Sequence, residues 1–145
     1  MKKILILLMV VLALACSSSD DRNTNNSFLP NQVFDTGSTI NTNFPQFNSL
    51  QFPGNYEEVP GFGLNGIVVY YTGTSYLAWE LSDPNHALDS CSKLTLDGII
   101  ATCGCSDSNQ YDILTGQVQE GTTGQFAMRP YSVEVSGNII RVFNN

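Results

Sequence analysis

Four side chains in the middle of this chain could do chemistry together: His86, Cys91, Cys103 and Cys105. Thiolate and imidazole bind soft and borderline metals, whereas thiols in an oxidising compartment pair as disulfides. The four make an acceptable ligand count for zinc, but their spacing matches no standard finger and one disulfide would remove two of them. Other reactive arrangements are missing. The sequence holds no P-loop, no GxGxxG and no His-Glu-x-x-His. His86 is the single histidine, so a Ser-His-Asp triad would have to use it, and no Gly-x-Ser-x-Gly surrounds any serine. Glu57 and Glu58 are adjacent and in a strand would point to opposite faces, a poor acid–base dyad. No catalytic residue is assigned, and the chain is read as a non-enzyme.

The elements that must position these residues are a hairpin and the loops at its base. Leu94-Thr95-Leu96 and Ile99-Ile100-Ala101-Thr102 flank Asp97-Gly98, a strong hairpin signal. A two-residue Asp-Gly turn predicts Leu96 opposite Ile99 and Leu94 opposite Ala101, with Lys93, Thr95 and Thr102 on the other face. One loop, Ser82 to Ser90, leads into the hairpin, and another, Gly104 to Asn109, leaves it. Asp83-Pro84-Asn85-His86 and Ser106-Asp107-Ser108-Asn109 are both good turn chemistry. His86, beside Asn85 in a loop, is read first as solvated and second as an alternative metal ligand.

This layout resembles the cluster-binding part of a Rieske domain. There, two loops bridged by a hairpin, each with a Cys-x-His or Cys-x-x-His pair, clamp a [2Fe–2S] cluster. The family's Cys-Pro-His corresponds to Asp83-Pro84-Asn85, and its Cys-Pro-Cys-His-Gly-Ser to Cys103-Gly104-Cys105-Ser106-Asp107-Ser108. The resemblance implies cluster positions at Asp83, Asn85, Cys103 and Ser106, of which only Cys103 keeps its ligand type. It also implies a disulfide between Cys91 and Cys105 that joins the loops. A looser likeness runs from Gly66 to Phe143. A hard oxygen at Asp83, a weak neutral donor at Asn85 and a protonated Ser106 predict poor iron retention, so no cofactor is expected. The competing reading is a [2Fe–2S] electron-transfer protein that uses the substituted ligands or His86 with three thiolates.

The start of the chain carries a different signal. Met1-Lys2-Lys3, an apolar run from Ile4 to Leu14, and Ala15-Cys16 read as a secretory signal peptide. With Ser17-Ser18-Ser19-Asp20-Asp21 after the cysteine, the start resembles a bacterial lipoprotein signal, here of a Bacteroidetes or flavobacterial type, with lipid at Cys16. The expected division is 1–15 signal peptide, 16–27 lipidated cysteine and disordered tether, and 28–145 domain. Cys16 would anchor the protein to a membrane of the cell envelope, the outer membrane being the expected one. Without Lys2 and Lys3, four basic residues face thirteen acidic ones, a net charge of about −9. No basic patch remains, so nucleic acid is not an expected partner. With Cys16 acylated, three thiols in an exported chain favour one disulfide and one leftover. Loop entropy does not separate Cys91–Cys105 from Cys91–Cys103, and Cys103–Cys105 would be strained.

The remainder reads as all-β, in small antiparallel sheets or a sandwich of eight to ten short strands without substantial helix. Short extended pieces are expected at Gln32–Asp35, Thr39–Asn43 and Tyr56–Val59. Gly66 to Thr72 is a β-branched and aromatic run that suits a well-buried strand, and Tyr76–Glu80 returns beside it. Trp79 is expected as a core anchor. Phe28, Phe34, Phe44, Phe47, Phe52 and Phe62 are expected to pin irregular segments onto the sheet. Tyr131–Val135 and Ile139–Phe143 form a closing hairpin, with Tyr131, Val133 and Val135 inward.

Overall fold

A computed structural model of the chain describes Asn26 and residues 28–145. The signal segment, Cys16 and the tether apart from Asn26 lie outside the described residues. Asn26 itself, assigned above to the tether, is buried, and its amide donates to the Pro84 carbonyl. No helix of the described residues is long and apolar enough to cross a membrane.

The described residues form ten strands in small antiparallel sheets, with one 3-10 helix at Pro45–Gln51. β1 (Phe34–Asp35), β2 (Ile40–Asn41), β9 (Ser132–Ser136) and β10 (Ile139–Asn144) make the first sheet, with β10 central. β3 (Tyr56–Val59), β4 (Ile67–Tyr71) and β5 (Tyr76–Glu80) make the second. β6 (Leu94–Asp97), β7 (Ile100–Cys103) and β8 (Gln110–Asp112) make the third.

The second sheet lies between two cores, which explains why β4 is apolar along its length. Successive strand residues point to opposite faces. Ile67 and Val69 therefore pack with Ile40, Leu50, Ala78, Ile140 and Val142 on the side of the first sheet. Val68 and Tyr70 pack with Trp79, Leu94, Ala101, Tyr111 and Ile113 on the side of the third. Trp79 is the expected anchor: it is buried, and its indole N–H donates to the Ile113 carbonyl at 2.7 Å.

Three expectations need correction. The hairpin pairs Asp97 with Ile100, Leu96 with Ala101 and Leu94 with Cys103: the turn sits one residue later than expected, and each strand partner shifts by two residues, which keeps the faces. The central turn residues are Gly98 and Ile99, and only Gly98 takes positive φ (58°). A β-branched residue is disfavoured at positive φ, so a turn that needs it once, at Gly98, replaces one that needs it twice. Leu94, Leu96 and Ala101 still share a face; Cys103 joins them there, while Ile99 is 40% exposed. Second, Val135 is 54% exposed, because β9 is an edge strand whose far end lies beyond the core. Third, the phenylalanines divide: Phe47 is buried and Phe34 and Phe62 pack on the core, but Phe28, Phe44 and Phe52 are exposed.

Gly116 sets a packing limit. It has φ +73°, and a Cβ there would meet Trp79 Cζ3 at 2.5 Å. Gly121 has φ +88° with nothing within 4 Å of the same position. Gly121→Ala should therefore cost only the left-handed strain, about 1–2 kcal/mol. Gly116→Ala should cost about 1–3 kcal/mol more from overpacking. Equal losses in urea unfolding would show that Trp79 yields freely.

Candidate functional site

The Asp83 loop and the Cys105 loop meet beside the third sheet, where β5 hands the chain to β6. Backbone bonds fix the approach: Leu94 N–H donates to Leu81 O at 2.7 Å and Asp83 N–H to Ser92 O at 2.8 Å. A turn closed by Ser92 N–H on Asp89 O takes Cys91 out of strand register. Cys91 then reaches the other loop and forms a disulfide with Cys105, the Cα atoms 4.9 Å apart. Gly104 lies between the cysteines of the second loop, and a Cβ there would come within 3.0 Å of the Cys91 carbonyl.

Asp83 is fully buried and makes no salt bridge among the described residues. A buried carboxylate without a cation must be stabilised by hydrogen-bond donors. Oδ1 accepts from the Asn85 N–H at 2.8 Å and from the Tyr111 hydroxyl, and Oδ2 from Asn109 Nδ2 at 3.1 Å. Asn85 spends its side chain in the same way. Its Nδ2 donates to Tyr111 Oη at 2.9 Å and to Phe126 O at 2.8 Å, while Oδ1 accepts from Gln125 N–H and Phe126 N–H, both at 3.0 Å. Gly124 abuts this amide so closely that a Cβ would lie 2.3 Å from Asn85 Cγ. Asn109 completes the network: Oδ1 accepts from the Thr123 N–H and hydroxyl, both at 3.2 Å, and Nδ2 also donates to Asp107 Oδ2 at 3.0 Å.

Burial pushes the Tyr111 hydroxyl well above the ordinary phenol range; Asn85 opposes this and the Asp83 carboxylate reinforces it. Tyr111 is therefore a neutral donor to Asp83. Cys103 is the free cysteine of the described residues and is 3% exposed. Burial pushes its thiol up to about 12; the Cys105 N–H opposes the shift and neighbouring Asp83 adds to it. Its Sγ rests 3.8 Å from the Cys91 carbonyl oxygen and 3.5 Å from the Cys105 nitrogen. Ser106 is exposed on the second loop. His86 is half-buried, with Nδ1 at 2.7 Å from the Ala87 carbonyl oxygen.

The four expected cluster positions thus have unlike environments: Asp83 and Asn85 are tied into one hydrogen-bond network, Cys103 is a buried thiol and Ser106 faces solvent. Sequence reading passed over Tyr111, Asn109 and strand β8, which carries Tyr111. The available signal was that Asp83 would need donors if its loop folded inward. A second buried carboxylate, Glu80, was passed over as well. Its Oε2 accepts from Leu64 N–H at 2.8 Å and Tyr131 Oη at 2.6 Å. Its Oε1 accepts from the Asn65 N–H and Ser82 N–H, each at 3.0 Å, and the Ser82 hydroxyl at 2.9 Å.

Fold and site together define a small all-β domain whose hairpin carries two loops joined by a disulfide. No protein-family model matches the chain, and no curated protein matches it. Among solved structures it is similar to a chain of the complex of reduced oxygenase and oxidized ferredoxin in carbazole 1,9a-dioxygenase. That match has 25% identity over 63% of this chain and 82% of the other, with a TM-score of 0.44. It is similar also to the ferredoxin of carbazole 1,9a-dioxygenase from Nocardioides aromaticivorans IC177, at 22% identity over 63% and 86% of the two chains and a TM-score of 0.43. A third is the quaternary ammonium Rieske monooxygenase CntA with gamma-butyrobetaine, at 17% identity, 66% and 29% coverage, and a TM-score of 0.47.

Alkylation of the unreduced chain followed by peptide mapping tests the thiol arrangement. Near pH 8, native Cys103 should resist iodoacetamide, since it is buried and its thiol titrates only toward about 12. After denaturation without reduction it should label, while Cys91 and Cys105 should stay blocked. Label on Cys105 would move the disulfide to Cys103.

Proposed function

We propose that this chain is an exported lipoprotein, anchored in the cell envelope through lipid at Cys16, with a Rieske-like domain that has lost its iron–sulfur site. On this reading it is a structural or binding module and not an enzyme, and nucleic acid is not its partner. The observation that carries the reading is the engagement of Asp83 and Asn85. A Rieske cluster takes two thiolates on one iron and two imidazoles on the other. The residues do not fit that requirement. The whole sequence has one histidine, and His86 is at none of the four positions. Asp83 and Asn85 instead spend their side-chain oxygens and amide hydrogens on Tyr111, Asn109 and the 125–126 backbone. Freeing them would leave several buried donors unpaired, at about 1–3 kcal/mol each.

The disulfide fits the Rieske-like part of this reading. Cys91–Cys105 has a sequence separation of 14 and ties the loops without a metal. Closing a loop of about 15 residues contributes roughly 3 kcal/mol in the chain-entropy account.

Protein purified anaerobically should be colourless between about 400 and 600 nm, with iron well below two atoms per chain. A stable red-brown protein with two irons would instead establish an electron-transfer protein. In the same preparations, wild type should incorporate radiolabelled palmitate and Cys16→Ser should not; wild type without label would remove the anchor from the proposal.

A further inference from the structure

The loops hold a second set of metal donors, of which His86, Cys91 and Cys105 take no side-chain part in the hydrogen-bond network around Asp83 and Cys103 lies beside it. A ring nitrogen of His86 and the Sγ atoms of Cys91 and Cys105 lie within 4.8 Å of one another. Cys103 Sγ lies within 4.8 Å of Cys105 Sγ in an adjoining group. The two groups share Cys105 without forming one cluster, so a four-ligand site requires Cys103 Sγ to turn toward the His86 and Cys91 side once the disulfide is open. In the oxidised chain the site is closed, because the disulfide takes the electron pairs that two of the ligands would offer.

A backbone contact fixes the histidine's tautomer. Its Nδ1 faces the Ala87 carbonyl at 2.7 Å, and a carbonyl can only accept, so Nδ1 carries the hydrogen. The neutral ring then has its lone pair on Nε2. An Nδ1–H bonded to a backbone carbonyl is the outer contact that fixes tautomer and orientation in metal-bound histidines. Donor chemistry selects the metal: three sulfurs and one imidazole are the Cys₃His set of tetrahedral zinc. Asp107, also near Cys105, is a poorer fourth ligand than Cys103, since its Oδ2 accepts from Asn109.

We propose that reduction of the Cys91–Cys105 disulfide opens a zinc site formed by His86, Cys91, Cys103 and Cys105. A dithiol reductant supplies two electrons and two protons: the Sγ–Sγ bond breaks, two thiols form, and the reductant leaves as its own disulfide. The incoming dication displaces the thiol protons to solvent as each Zn–S bond forms. The Cα atoms, 4.9 Å apart across the disulfide, let two sulfurs separate to a shared metal by side-chain rotation. The inference uses neither the lipid anchor nor the Rieske reading, so it stands or fails apart from both.

The test is an anaerobic titration of the full chain, solubilised in detergent, with cobalt(II) as the zinc probe and a phosphine reductant that does not chelate. The reduced chain should bind one cobalt, with thiolate charge-transfer absorption and the intense visible bands of tetrahedral coordination. Zinc should then bleach these bands. The unreduced chain should show none. His86→Ala and Cys103→Ser should each weaken cobalt binding by more than about tenfold, the lower end of what losing even an outer-sphere partner costs. Far-UV circular dichroism is followed in parallel in case reduction alone loosens the fold. Recovery of the β spectrum on adding cobalt supports a built site, and cobalt bands without recovery overturn it. The proposal is overturned equally if the reduced chain shows no bands, or if either variant binds cobalt as wild type does.

Discussion

The buried carboxylate of Asp83 is the constraint around which the two loops are arranged. Removing an ionised oxygen pair from water is costly, and among the described residues no cation compensates it. The chain answers with donors drawn from both sides of the hairpin: the Asn85 backbone from the first loop, Asn109 from the second, and Tyr111 from β8. Each donor is itself held from outside, Asn85 and Asn109 by the 123–126 segment. In a low-dielectric site such a network is cooperative, and a partly satisfied version would be worse than an apolar core. One charge therefore ties the first loop to the 109–111 stretch, and the amides of Asn85 and Asn109 carry the tie on to residues 123–126.

Glu80 repeats the device on the other side of the second sheet. It gathers the 63–65 loop, Ser82 and Tyr131, so its carboxylate joins the start of the first-loop region to the segment entering β9. Gly63 is required there, because a Cβ would lie 2.4 Å from Glu80 Oε2 at φ +68°. Two carboxylates thus order irregular loops that contribute few apolar contacts. The disulfide acts differently, by limiting the unfolded chain, and it joins the two loops close to the hairpin.

Much of the framework was legible in the sequence, for identifiable reasons. Ile67 to Tyr71 read as a buried strand because a run apolar on both faces suits a sheet covered on both sides. The Asp97-Gly98 turn located the hairpin, but composition could not choose which two residues turn; the turn moved on by one residue and the strand partners by two. The pairing of Cys91 with Cys105 came from a family resemblance; thiol count alone left Cys91–Cys103 equally open. The site was less legible. Asp83, Asn85 and Asn109 looked like surface turn residues, since the residue types that initiate turns also make buried polar networks. Glu80 and Tyr131 were hidden similarly, each sitting in a strand where periodicity reports which face is buried but not what it bonds.

The central claim is that Asp83 and Tyr111 act as a coupled pair clamping the loops. A double-mutant cycle in urea unfolding, with Asp83→Ala, Tyr111→Phe and the double variant, measures that coupling directly. The account predicts a coupling energy above about 1 kcal/mol, because once the carboxylate is gone the hydroxyl has lost the partner it was buried to serve. Additivity of the two losses to within about 0.5 kcal/mol would contradict it.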